Sequence, residues 1–72
     1  MFFKGNYVNI GNNCSLYSCV IDDYVTVGPK SVIAEGAVLE RGCVIAPGSY
    51  VPPGKLIPAY QLWEGTPVRY LI

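Results

Sequence analysis

From Cys19 to Gly54 the chain falls into six consecutive units of six residues: CVIDDY (19–24), VTVGPK (25–30), SVIAEG (31–36), AVLERG (37–42), CVIAPG (43–48) and SYVPPG (49–54). The third place of each unit holds a large aliphatic, Ile21, Val27, Ile33, Leu39, Ile45 and Val51, and Ile57 continues the series. Two places earlier the residue is small or medium: Cys19, Val25, Ser31, Ala37, Cys43 and Ser49. The residue after the aliphatic is often Asp, Gly, Ala or Pro, as at Asp22, Gly28, Ala34, Ala46, Pro52 and Pro58. Backwards from Ile21, Leu16 lies five residues away and Ile10 six beyond that, with Cys14 in the small place. Lys4 keeps the period and breaks its chemistry.

Neither a strand period of two nor a helical period of 3.6 gives this spacing; a hexapeptide repeat does, and it is the signature of a β-helix. Each unit is one short strand and one corner, with the aliphatic turned into a prism and the small residue beside it at the turn. Three units close one coil, and coils stack at about 4.8 Å, so residues 4–57 make about three coils and a prism ~14 Å tall. Residues 18 apart, or 17 across the short unit, form three inner ladders: Ile10/Val27/Ile45, Leu16/Ile33/Val51 and Ile21/Leu39/Ile57. Gly, Pro, Asn or Asp recurs too often for a helix of useful length before residue 59. Pro58–Ile72 is expected as an irregular tail folding back along a face. Glu35 and Glu40 are placed outward.

Composition narrows the function. The chain has 72 residues, no histidine, and five basic against five acidic residues. Without histidine the usual general base and the usual zinc ligand are both missing. A balanced charge leaves no electrostatic footprint for nucleic acid or an anionic membrane. No apolar run approaches the ~18 residues of a membrane span. Three cysteines without a CxxC spacing suggest neither a disulfide framework nor a metal knuckle, and Cys14, Cys19 and Cys43 all occupy the small inward place. Asp22-Asp23 and Asn12-Asn13 sit at corners, where such residues make turns. Tyr7, Tyr17, Tyr24 and Tyr50 fall on outward places; with no basic surface around them, they suit a subunit interface. Gly28-Pro29-Lys30 is no phosphate loop, because no helix follows.

The second half carries a more specific pattern. Val51-Pro52-Pro53-Gly54, then Ile57-Pro58, then Leu62-Trp63, Gly65 and Pro67-Val68-Arg69 resemble the end of the β-helix in γ-class carbonic anhydrases. Gly11 to Asp23 is similar to that family's metal-binding stretch and carries the same five-residue unit. The resemblance implies an all-β, left-handed parallel β-helix over residues 1–57, lacking the family's first coils, with a tail over residues 58–72. It also implies a trimer whose zinc is held by three histidines at a subunit interface. Two of those positions are Asn12 and Tyr17 here, and the third lies upstream.

A catalytic zinc needs three strong ligands and an open place for water. An Asn carbonyl suits calcium better, and Tyr must ionise from a pKa near 10. The expectation is therefore a non-catalytic chain with no metal, catalytic or cofactor-binding residues and no cofactor. The resemblance points to a structural subunit of the γ-carbonic-anhydrase-like trimer of mitochondrial respiratory complex I, on the matrix side of the inner membrane. Its partners would be sister subunits and a large membrane-attached complex, with no nucleic acid and no span of its own. The alternative is an accessory chain in a mixed trimer that hydrates carbon dioxide at sites made by the other subunits. A dynactin-type scaffold lacks the Leu-Trp-x-Gly-x-Pro tail, and an acyltransferase of the hexapeptide class normally uses a histidine base.

Overall fold

The computed structural model describes residues 3–72; Met1 and Phe2, part of the expected first coil, lie outside the described residues. The described strands are β1 (Phe3–Lys4), β2 (Asn9–Ile10), β3 (Ser15–Leu16), β4 (Val20–Ile21), β5 (Thr26–Val27), β6 (Val32–Ile33), β7 (Val38–Leu39), β8 (Val44–Ile45), β9 (Tyr50–Val51), β10 (Leu56–Ile57), β11 (Leu62–Gly65) and β12 (Val68–Tyr70). Every third strand lies side by side, giving three sheets ordered β1-β4-β7-β10, β2-β5-β8-β11-β12 and β3-β6-β9. The chain thus winds around a three-sided prism, one strand per side. All pairings are parallel except β11 with β12.

The ladders are those the repeat dictates. Lys4 pairs with Ile21, Ile21 with Leu39 and Leu39 with Ile57. Ile10 pairs with Val27, then Ile45, then Trp63, and Leu16 with Ile33, then Val51. Ile21, Ile33, Leu39, Val51 and Ile57 are fully buried, with Val25, Ala37 and Cys43 from the small places beside them. The hydroxyls of Ser31 and Ser49 both donate to the Ala46 carbonyl, at 3.2 and 2.6 Å. These polar slots therefore carry no unsatisfied group, which would otherwise cost about 1–3 kcal/mol each.

The corners explain the period. Positive φ recurs at Tyr7, Asn13, Tyr24, Lys30, Gly36, Gly42, Gly48, Gly54 and Tyr60, between 58° and 79°. These places are six apart except between Asn13 and Tyr24. That gap contains the five-residue unit from Leu16 to Ile21, so the short unit is the one that omits the left-handed residue. Its corner is still tied to the coil below, because the Gly36 amide donates to the Ser18 carbonyl.

Two features differ from the sequence reading. The tail is not irregular and does not run along a face: Leu62–Trp63 continues the coil by pairing with Val44–Ile45, and β12 turns back as an antiparallel hairpin on β11. Val68 is buried against the last coil, so this hairpin closes the C-terminal end. Tryptophan in an inward place hid the extra unit from a search for aliphatics. Glu40 is also not free surface, since its Oε1 accepts the Ala59 amide of the next coil at 3.2 Å; Glu35 is exposed.

Candidate functional site

Of the side chains the sequence singled out, Asn12, Asn13, Asp22 and Asp23 lie at or beside corners, Cys14, Cys19 and Cys43 in inward places, and Tyr50 in strand β9. Asn12 lies at the corner between β2 and β3, exposed, with its backbone carbonyl accepting the Lys30 amide at 2.9 Å. Tyr17 leaves the far end of β3 and is also exposed. One side of the prism separates them. Five residues at about 3.3 Å each span up to ~16 Å, whereas two donors on one zinc with bonds near 2.0–2.2 Å lie within ~4 Å of each other. Asn12 and Tyr17 therefore stand at opposite ends of one prism side. The donor chemistry does not suit zinc either, since both groups are weak neutral oxygens. Among the described residues no three His, Cys, Asp or Glu side chains converge, and no buried side-chain nitrogen or oxygen lacks a partner. The residues present do not fit a catalytic zinc.

The three thiols are held in the protonated form or occupied. Cys14 Sγ donates to the Gly28 carbonyl at 3.2 Å. Burial pushes the Cys19 thiol up and the Cys43 thiol up to about 12. A nucleophilic cysteine needs the opposite shift and some exposure.

Asp22 and Asp23 act as corner residues. Asp22 Oδ1 accepts the Asp23 amide at 2.7 Å, and Asp23 Oδ1 accepts the Asn6 amide from the coil above at 2.7 Å. Asn13 takes the left-handed turn that the Asn12-Asn13 pair signalled (φ 63°).

The same prism edge assembles a column not foreseen as a unit. Tyr7 stacks on Tyr24, ring centroids 5.3 Å apart and nearly parallel. The Arg41 guanidinium lies 4.8 Å from the centre of the Tyr24 ring and pairs with Asp23 at 3.4 Å. Arg41 Nε then donates to the Tyr60 hydroxyl at 3.1 Å. Gly42 makes the room: a Cβ there would meet the Tyr60 ring at 2.5 Å. Tyr7, Tyr24 and Tyr60 hold positive φ, a costly conformation for a bulky side chain. The spacing 7, 24, 60 was visible in the sequence, but Gly42 holds the equivalent place in the intervening coil and broke the run of aromatics. The other two expected tyrosines stand elsewhere: Tyr50 is exposed in β9, and Tyr17 is exposed just past the end of β3.

The outer walls are also apolar. Val20, Val38 and Leu56 line the outside of one sheet, with Val20 and Leu56 exposed, and Val44 is exposed on another. Parallel sheets are normally covered on both faces, so these walls are fit to meet other chains. No helix among the described residues is long and apolar enough to cross a membrane.

Comparison with known proteins agrees with this architecture. Residues 18–53 match the bacterial transferase hexapeptide (six repeats) family, which spans half of the chain. A hexapeptide transferase family protein from Anaplasma phagocytophilum superposes with a TM-score of 0.90 at 35% identity, over 92% of this chain and 40% of its own. A putative acetyltransferase from Bacillus cereus gives a TM-score of 0.91 at 35% identity, over 92% of this chain and 38% of its own. A serine acetyltransferase in complex with CoA, at 16% identity and a TM-score of 0.55 over 96% of this chain and 37% of its own, shares the fold. The chain thus spans about two fifths of the length of the solved structures it matches. A search of curated proteins finds no match. The narrower likeness to γ-class carbonic anhydrases rests on the motif residues alone. With the hexapeptide match, the parallel ladders and the six-residue corner period in agreement, the chain belongs to the bacterial transferase hexapeptide family and folds as a left-handed parallel β-helix.

Proposed function

We propose that this chain is a structural, non-catalytic subunit of a γ-carbonic-anhydrase-like trimer, the one attached to mitochondrial respiratory complex I on the matrix side of the inner membrane. The observation that carries the reading is an intact prism with its ligand corners chemically disarmed. Asn12 and Tyr17 replace two nitrogen donors and stand one prism side apart, and the chain has no histidine to substitute for them. What is kept is what assembly needs: continuous inner ladders, a closed C-terminal end, and outer walls bearing Val20, Val38, Val44 and Leu56. Sister subunits side by side would cover those walls. In a mixed trimer, a site formed wholly by histidine-bearing neighbours would hydrate carbon dioxide while this chain contributes only packing.

An acetyltransferase is the second reading, favoured by the 35% identity to the putative acetyltransferase of Bacillus cereus. Acyl transfer to an alcohol or amine needs a base poised near neutral pH. This chain has no histidine, and its buried Cys19 and Cys43 are shifted the wrong way.

Metal analysis, carbon dioxide hydration and acetyl-CoA consumption, measured on the purified native assembly and on this chain alone, test both readings. The expected result is no activity and no zinc with this chain alone. Acetyl transfer or carbon dioxide hydration by this chain alone would overturn the proposal.

A further inference from the structure

The three edges of the prism are tied in different ways. Gly42, Gly48 and Gly54 are successive left-handed residues, one on each edge, with φ of 72°, 71° and 71°. Their amides make the same bond, to a carbonyl of the preceding coil: Gly42 to Asp23 at 3.0 Å, Gly48 to Pro29 at 2.9 Å and Gly54 to Glu35 at 3.0 Å. Residue type, backbone conformation and hydrogen bond are therefore equal at this level of the stack. The side chains around the three corners are what differ.

Beside Gly42, on the edge between the β1-β4-β7-β10 sheet and the β2-β5-β8-β11-β12 sheet, side chains run along the prism axis and link coil to coil. Asp23 accepts the Asn6 amide of the coil before it with one oxygen and the Arg41 guanidinium of the coil after it with the other. Arg41 donates through Nε to the Tyr60 hydroxyl, one coil further on, and its guanidinium also meets the Tyr24 ring, which stacks on Tyr7. The chain of contacts passes through four successive coils. On the edge of Gly48 the ties lie behind the corner, where the Ser31 and Ser49 hydroxyls meet the Ala46 carbonyl inside the prism. At Gly48 and Gly54 a Cβ would meet nothing within 4 Å among the described residues, whereas at Gly42 it would strike the Tyr60 ring.

Each exposed contact of the column is weak alone. They share Asp23 and Arg41, however, so separating the coils at this edge loses them together with the backbone bond. Local opening starts where the fewest contacts have to break. We propose that the column is a conformational clasp with Arg41 as its positioning residue: it makes this edge the rigid spine of the prism and directs local opening to the edge of Gly36 and Gly54. The β3-β6-β9 sheet lies across the prism from the spine, with Asn12 and Tyr17 at its two ends. The clasp thus holds the coil spacing at the back while that sheet and its corners adjust to a neighbour. The left-handed tyrosines fit this role, since glycine would relax the backbone at positions 7, 24 and 60 and remove the rings that the clasp is built from. The inference rests on contacts within the chain and stands independently of the proposed function.

The test is residue-resolved amide hydrogen exchange on the native assembly, with the three glycines as mutual controls. Gly42 should exchange at least about tenfold more slowly than Gly54. Arg41→Gln removes all the guanidinium contacts; it should speed the Gly42 and Tyr60 amides about tenfold and leave Gly48 and Gly54 within about twofold. Arg41→Lys keeps the charge without the planar fork and should restore the protection only in part. Tyr60→Phe deletes a single hydroxyl, should speed the Gly42 amide selectively, and decides the matter if Trp63 emission shows that Arg41→Gln does not fold. Equal exchange at the three glycines in the parent, an effect of either variant spread evenly over them, or an unchanged Gly42 rate in the variants would each overturn the proposal.

Discussion

Truncating Leu39 to Ala probes the prism at its most enclosed point. Leu39 is fully buried and sits in the inner ladder between Ile21 and Ile57. Removing three carbons forfeits roughly 2.4 kcal/mol at ~0.8 kcal/mol per buried methylene. Collapse around the gap is resisted, because β7 is held by parallel pairing on both sides, to β4 and to β10. A residual cavity of about 60 Å³ then adds ~1.5 kcal/mol at ~24 cal/mol per Å³. The total is about 4 kcal/mol, against a whole-domain stability of about 5–15 kcal/mol. Leu16→Ala removes the same atoms from the open end, where half-burial and a missing coil should hold the loss to about 1–2 kcal/mol. Glu35→Gln, on an exposed corner, should stay within about 0.5 kcal/mol. Urea unfolding followed by circular dichroism for the coils and by Trp63 emission for the closed end measures all three. Equal losses at Leu39 and Leu16 would refute the stacking order, and a Leu39 loss below 1 kcal/mol would refute the enclosed ladder.

Other outcomes follow from the corners and slots. Restoring histidine at both Asn12 and Tyr17 should leave an isolated chain without zinc, because one prism side separates the two; equilibrium dialysis finding one tightly held zinc per monomer would contradict the placement. Lys30→Gly should stabilise by about 0.5–1 kcal/mol, since φ is 62° there and glycine relieves the strain at some entropic cost; a lower melting temperature counts against it. Gly42→Ala should destabilise more than Gly36→Ala, because only the first drives a methyl into the Tyr60 ring. The Cys43 thiol is raised from 9.0 to about 12 in the folded chain, so its contribution is complete below pH 9 and is lost as pH rises from 9 towards 12, with a slope of up to about 1.4 kcal/mol per pH unit. Cys43→Ala should flatten that alkaline slope relative to the parent, and an unchanged slope would remove burial of the thiol as its cause.

The prism was legible in the sequence because its interior admits few residue types at fixed intervals. Ile21, Leu39 and Ile57 meet in one ladder only if three strands make a turn, and the pairing register follows that count residue by residue. The short unit was legible as a missing residue but not as a missing left-handed turn, because Tyr24 and Lys30 occupy positive φ without the glycine that would have announced it. Trp63 escaped for a similar reason. Its ring fills an inward place at the end of a column, where there is room for more than an aliphatic.

The candidate site was less legible, and the cause lies in the fold. Inward places are constrained by neighbours within the chain, so their chemistry is readable from the chain alone. Corners are constrained by what stands beside them, and a three-sided prism sends Asn12 and Tyr17 towards different neighbours. A histidine at either corner is half of a site in a trimer and an ordinary surface residue in a monomer. Neither Asn12 nor Tyr17 packs in an inner ladder, so the identity of these side chains costs the prism nothing. The tyrosine column is likewise a feature of the surface. Tyr7, Tyr24 and Tyr60 hold a backbone conformation that glycine takes freely at Gly36 and Gly54, so the repeat itself does not demand aromatics there. Stacking and the Arg41 contacts offset part of the strain. The rest is the kind of cost that persists where a surface is selected for contact with a partner.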